Sequence, residues 1–169
     1  MRLNSQDTII RIADNLVKKY ETRNAEALAG ALGIRIYYVP LKRQKGMYKI
    51  IKRLRCIFVN SNLSDYMRSI VILHEIGHDQ LHRKQASAFH EFQLFDMSTS
   101  EMEYEANLFA AQISLPDEDV IEYISNGYSA DMIAGSMNSD INLVAIKAAD
   151  LSRRGYAFRL QDYRSNFLK

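Results

Sequence analysis

The chain contains no tryptophan, one cysteine and two prolines in 169 residues. A lone Cys56 excludes an internal disulfide and a cysteine-built metal knuckle. Within the run "RLRCIFVN" it reads as a small core residue suited to a reducing compartment. Long hydrophobic runs are missing too. The aliphatic stretch "IVIL" falls far short of the ~20 residues that cross a bilayer, and the opening "MRLNSQDTIIRIADN" lacks the apolar core of a secretory signal. These absences lead us to expect a soluble, cytoplasmic protein with no membrane partner. Net charge is small, +2, too little to announce nucleic acid. Acidic residues are absent from Lys42 to Arg55, where seven basic residues accumulate. Such a run reads as a solvated basic hairpin or as a surface for an acidic partner or phosphate.

What is present is an ordinary globular composition, 47% hydrophobic and 25% charged. "SQDTIIRIADNLVKKY" has the apolar spacing of an amphipathic helix, and "NAEALAGALG" a second helix with Asn24 as N-cap and Gly33 as stop. The period then changes. "IRIYYVP", "GMYKII" and "RCIFVN" are short β-branched and aromatic runs, three strands between about 34 and 60. A helix opening at Asn62 and Ser64 carries Met67, Ile70, Val71, His74, His78 and Leu81 along one face. A polar connection containing "FHEFQLFDM" follows, then the helix "SEMEYEANLFAAQISLP", stopped by Pro116. Three shorter helices occupy 117 to about 154.

The segment "LHEIGHDQLH" places two histidines four residues apart, so on a helix both imidazoles face one point, as a zinc site requires. Glu75, turned ~100° from His74, is placed to act on a water there as general base. Gly77 interrupts the helix interior at a cost of about 1 kcal/mol against Ala, which is understandable if another backbone or a substrate strand passes close by. A third ligand must come from His82, His90, Glu91, Asp96, Glu101, Glu103 or Glu105. His82 lies another turn, ~6 Å, along the axis and suits a capping or supporting hydrogen bond. Glu103 falls at the third position after Ser100, a capping box that would occupy its carboxylate. On a helical wheel Met102, Ala106, Phe109 and Ile113 form the buried stripe, with Glu105 at its edge and Glu103, Asn107, Ala110 and Ser114 on a more polar side. Glu105 is therefore the expected third ligand, with Glu101 and Glu103 in reserve.

With "KGMY", "HEIGHDQLH", "YEANLFAAQISLP" and "DINLVAIKAADLSRRGY" in view, the chain resembles the ImmA/IrrE family of metallopeptidases over residues ~10 to 160. The resemblance implies an α+β fold: a minimal zincin-like core in which a small, about three-stranded antiparallel or mixed sheet packs on two active-site helices, with further helices at both ends. With no repeat and no linker long enough to divide the chain, we expect one domain over 1–169, with a catalytic core over 1–116, a helix-turn-helix-like subregion over 117–155 and a basic tail over 156–169. His74, His78 and Glu105 would hold Zn2+, with Mn2+ as the alternative ion, and Glu75 would be the catalytic base. The implied substrate is a partner transcriptional repressor of a phage or mobile element, encoded nearby. Ten tyrosines leave the oxyanion-stabilising residue open, with Tyr104 and Tyr156 as candidates. The alternative is a DNA-binding or non-proteolytic, metal-bound regulatory protein, since "SADMIAGSMNSDINLVAIKAADL" has a helix-turn-helix pattern. Asp140, Ile141, Asn142 and Leu143 at the start of its second helix, with Lys147 the only base nearby, argue against direct nucleic-acid contact.

Overall fold

The computed structural model describes residues 5–83, 101–156 and 158. The "FHEFQLFDM" connection, with His90, Glu91 and Asp96, the proposed cap Ser100 and nearly all of the basic tail lie outside them. Among the described residues there are seven helices and one three-stranded sheet, the α+β class expected. Helix α1 (Ser5–Tyr20) turns Ile9, Ile10 and Ala13 inward. In α2 (Ala25–Ala31), the Asn24 side chain accepts from the Ala27 N–H at 2.9 Å, satisfying one of the helix's orphan donors. Gly33 ends it at φ +71, with the Gly33 and Ile34 N–H groups donating back to Gly30 and Ala29.

The sheet has the order β1-β3-β2, formed by Arg35–Val39, Leu54–Asn60 and Gly46–Ile51 respectively. β1 runs parallel to β3, and β2 antiparallel to it. Lys52 and Arg53 make the two-residue β2–β3 turn, both at positive φ (48° and 68°), the backbone that a tight hairpin of the correct twist demands. Cys56 is buried.

Helix α3 (Asp65–Leu81) packs against β2 and β3 on one side and against α2 and α4 (Glu101–Ser114) on others. The expected one-faced amphipathic helix is an undercount, because every residue from Ile70 to Asp79 is buried. Polar residues at any angle of this helix therefore meet protein. After Pro116 come α5 (Asp117–Ser125), α6 (Ala130–Ser136) and α7 (Ile141–Arg153). They extend the same hydrophobic core, in which Val120, Ile133, Leu143 and Leu151 join Phe109 and Ile113 of α4.

Candidate metal centre

Gly77 sets the site's dimensions. A Cβ there would lie 3.1 Å from the Ala106 Cα and 3.2 Å from the Ala106 carbonyl oxygen, so the close approach foreseen at this glycine is that of the α4 backbone. The neighbours of Ala106 on that side of α4, Glu103 and Asn107, are thereby carried to the histidines of α3. Glu103 oxygens lie 3.2 Å from His74 Nε2 and 3.1 Å from His78 Nε2. The two Nε2 atoms are 3.1 Å apart, and the three groups form a buried cluster with the spacing of metal ligands.

The surrounding hydrogen bonds determine which ring nitrogens carry protons. His74 Nδ1 donates to Asn107 Oδ1 at 2.8 Å, leaving Nε2 with its lone pair. Glu105 Oε2 accepts from His82 Nε2 at 2.8 Å, and His82 Nδ1 lies 3.3 Å from His78 Nδ1. Burial lowers the His82 pKa, outweighing the Glu105 carboxylate that raises it, and so favours the neutral ring. Its Nδ1 accepts from His78, and the His78 Nε2 lone pair is directed inward. Both Glu103 oxygens are buried without a hydrogen-bond donor among the described residues. Lone pairs from two imidazoles and a carboxylate thus face one another with no proton between them, an arrangement that burial penalises unless a cation binds. The donor set of two histidines and one carboxylate fits a metal ion with a position left for water.

Glu75 lies on the β2 side of α3, nine-tenths or more buried. Burial pushes its carboxyl up to about 7 and Glu103 adds to this, while His78 and the Tyr48 backbone N–H, which its carboxylate accepts, work in the opposite direction. A Cβ on Gly46 would come within 2.4 Å of Val71 Cγ1 and 3.2 Å of Glu75 Oε1, so only glycine lets β2 lie this close to the glutamate. Asp79, fully buried, accepts from Tyr48 Oη at 2.5 Å, from Arg55 at 2.9 Å and from Arg83 at 2.9 Å. These bonds fasten α3 to β2 and β3 one residue past His78.

The structure thus brings together His74, His78 and Glu103, and departs from sequence expectation at Glu105. The Glu105 carboxylate is occupied by His82 and by the Ser5 hydroxyl at 2.8 Å. The expected polar side of α4 is its most closely packed side, because Glu103, Asn107 and Ala110 are all buried. Glu103 reaches the histidines, a use of its carboxylate that the capping-box reading did not allow. The signal available was the Glu103–Asn107 pair, two polar residues four apart beside small Ala106 and Ala110. His82 caps α3 and supports His78, as expected of it. Tyr104 lies by Gln6 of α1, with Asp150 and Arg153 of α7 acting on its hydroxyl. Tyr156 lies beyond the end of α7 near Arg154. Neither belongs to the cluster.

A buried His-x-x-x-His pair met by a carboxylate from a second helix, beside a small mixed sheet, defines a metallopeptidase-type architecture. The comparisons agree: residues 29–134 match the Peptidase_M78 family model, described as the IrrE N-terminal-like domain, and the chain belongs to this ImmA/IrrE family. It is also 39% identical over 130 residues to "Uncharacterized immunity region protein 2" of Bacillus phage phi105, a match spanning 75% of this chain and 81% of that one. No helix among the described residues is long and apolar enough to cross a membrane.

Proposed function

We propose that the protein is a zinc-dependent endopeptidase that cuts a partner protein, a helix-turn-helix repressor of a phage or mobile element, and so relieves repression in the cytoplasm. The observation that carries this reading is the convergence of His74 Nε2, His78 Nε2 and the orphaned Glu103 carboxylate. These three residues are the proposed ligands, with Glu103 in the place that sequence reasoning assigned to Glu105. A zinc ion held there, or manganese in its place, supplies Lewis-acid activation of water and of a peptide carbonyl. Glu75, adjacent to His74 and fixed by the Tyr48 N–H, takes the proton of the attacking water and returns it to the leaving amine. Asn107 and the Glu105–His82 pair hold the two imidazoles in the tautomers that leave Nε2 available.

The phage relative is named for an immunity region, which supports a regulatory substrate. The burial of Lys147, the only base in the first two turns of α7, removes the one residue there that could have met phosphate. The test is Glu75→Gln. Metal content by elemental analysis should match the unsubstituted protein, while cleavage of the neighbouring repressor falls by about 100-fold or more. Retained cleavage, or a protein that takes up no metal, would refute the reading.

A further inference from the structure

Charge is sorted along the chain. Residues 85–146 carry eleven Asp and Glu and no Lys or Arg, the reverse of residues 27–64, which carry eight Lys and Arg and no Asp or Glu. Cations from beyond the acidic stretch reach part of it, since Lys147 and Arg154 engage Asp117 at the start of α5. Asp119 and Glu122, further along the same helix, are exposed, and among the described residues no Lys or Arg pairs with either.

These two carboxylates border a groove of 640 Å³, within the size range of sites that take a ligand. Asp119, Glu122, Tyr123 and Asn126 line it at i, i+3, i+4 and i+7, so one stripe of α5 forms a wall while Val120 and Ile124 are buried in the core. Met137, at the end of α6, lines it too. So do the Tyr123 and Tyr128 rings, whose centroids are 5.0 Å apart. Carboxylates thus stand beside aromatic and thioether surface, where an ammonium or guanidinium gains both charge pairing and ring contact. Ser114, at the α4 end of the groove, is eleven residues from Glu103, about 16 Å along the helix axis. The groove is therefore separate from the metal cluster.

We propose that this groove docks a basic amphipathic helix of the protein substrate, whose Lys or Arg side chains meet Asp119 and Glu122 while its apolar side chains lie against Tyr123 and Met137. The proposal rests on the endopeptidase reading for the identity of the partner, and on the groove alone for its chemistry. A substrate that is itself a helix-turn-helix protein has basic helices to offer, because it must neutralise phosphates to bind DNA. A helix suits the groove better than an extended chain. The lining includes no strand residue that could extend a ladder, and a helix satisfies its own backbone groups while presenting side chains alone. Nucleic acid is a poor occupant, because the carboxylates repel phosphate.

The test is fluorescence anisotropy on the zinc-loaded, full-length Glu75→Gln variant, with labelled helical peptides of about fifteen residues. The first has a leucine stripe and lysines on an alanine framework. The second replaces its lysines with glutamate, and the third its leucines with glutamine. The Leu/Lys peptide should bind about 10-fold tighter than either of the others at low ionic strength, and its advantage over the glutamate peptide should shrink in high salt. Asp119→Lys with Glu122→Lys should invert the order of the lysine and glutamate peptides, and Asp119→Asn with Glu122→Gln should level it. Glu21→Lys with Asp65→Lys, an equal charge change at exposed positions outside the groove, should leave it intact. With Glu75 restored, the α5 lysine pair should raise KM for the neighbouring repressor about 10-fold at unchanged kcat, as loss of binding remote from the reacting atoms requires. Equal binding of the lysine and glutamate peptides, undiminished binding of the glutamine peptide, an order unaltered by the α5 substitutions, or the same inversion from the control pair would overturn the proposal. So would a salt-sensitive dimer of the unsubstituted protein in sedimentation velocity that the α5 substitutions abolish, since the groove would then belong to the basic hairpin of a second copy. If the peptides bind as expected but the unsubstituted protein cuts no repressor, the endopeptidase reading falls and the groove stands as a site for a basic helix. If cutting occurs with KM unmoved by the α5 substitutions, the docking site falls.

Discussion

Two positions separate Glu103 from Glu105, which on a helix turns their side chains apart by about 200°. That rotation decides what each carboxylate can be. Glu103 is buried against His74 and His78 with neither oxygen given a hydrogen bond. Glu105 is the outer end of a relay through His82 to His78 and also takes the Ser5 hydroxyl. The two substitutions should therefore separate cleanly in zinc titrations monitored by calorimetry. Glu105→Gln should weaken zinc within the roughly 10–100-fold range typical of losing an outer partner, and Glu103→Gln by more than that. The opposite ranking would return Glu105 to the first rank. At this scale the His74, Glu75 and His78 pattern was legible because one helix contains it all and the spacing is itself the geometry. The third group was not, because it arrives from another helix, and a wheel drawn for α4 alone does not say which of its faces α3 will cover. Polarity was taken to mean exposure, and at Glu103 and Asn107 it marked the residues that serve the buried histidines.

At the scale of elements, the α3–α4 crossing and the β2–β3 hairpin place the site, and each contains a backbone feature with a measurable consequence. Gly77→Ala gains up to about 1 kcal/mol of helix propensity. It also pushes a Cβ to 3.1 Å from the Ala106 Cα, a backbone atom that cannot rotate aside. Overpacking of this kind costs about 1–3 kcal/mol, so the variant should unfold at lower temperature and bind zinc more weakly, since Glu103 and Asn107 move with α4. A raised melting temperature would show that the crossing has slack. The close approach was foreseeable, because a glycine inside a strongly patterned helix needs a reason. At the hairpin, Lys52 and Arg53 occupy left-handed backbone at about 1–2 kcal/mol per residue for an L side chain. Lys52→Asn with Arg53→Gly suits the turn better and should raise stability by about 1–2 kcal/mol in chemical denaturation. An unchanged or lower stability would mean that the two side chains make compensating contacts. The strands were readable from their β-branched and aromatic runs. Their order was not, since nothing local in "IRIYYVP" indicates that it will lie parallel to "RCIFVN" rather than beside "GMYKII".

Across the whole molecule, the C-terminal helices are joined to the metal-bearing half by buried charge. Lys147 on α7, fully buried, donates to Gln112 on α4 and to Asp117 on α5. Arg154 reaches Asp117 at 2.6 Å and Asp150 at 2.8 Å, and Arg153 ties Asp150 to Asp7 on α1 at 2.7 Å each. The helix-turn-helix pattern over α6 and α7 thus spends its central lysine on interior cohesion, which a reading of charge along the helix could not reveal. This network gives the fold an acid limit. Burial would raise the Asp117 carboxyl, but the hydrogen bonds and charges of Arg154 and Lys147 prevail and hold it at about 2, below its ordinary 3.8. A carboxylate whose folded pKa is depressed stabilises the protein fully above its unfolded pKa, and that contribution disappears as pH falls through the folded value. The window is therefore about pH 4 down to about pH 2. Since the side chain keeps a quarter of its surface exposed, solvent screening reduces the contribution to about 1–2 kcal/mol. The unsubstituted protein should be more stable than Asp117→Asn at neutral pH, and in urea titrations repeated from pH 5 to pH 2 the difference between them should narrow by that amount. A difference that stays constant with pH would show that Asp117 acts by hydrogen bonding alone, and that another carboxylate sets the acid limit.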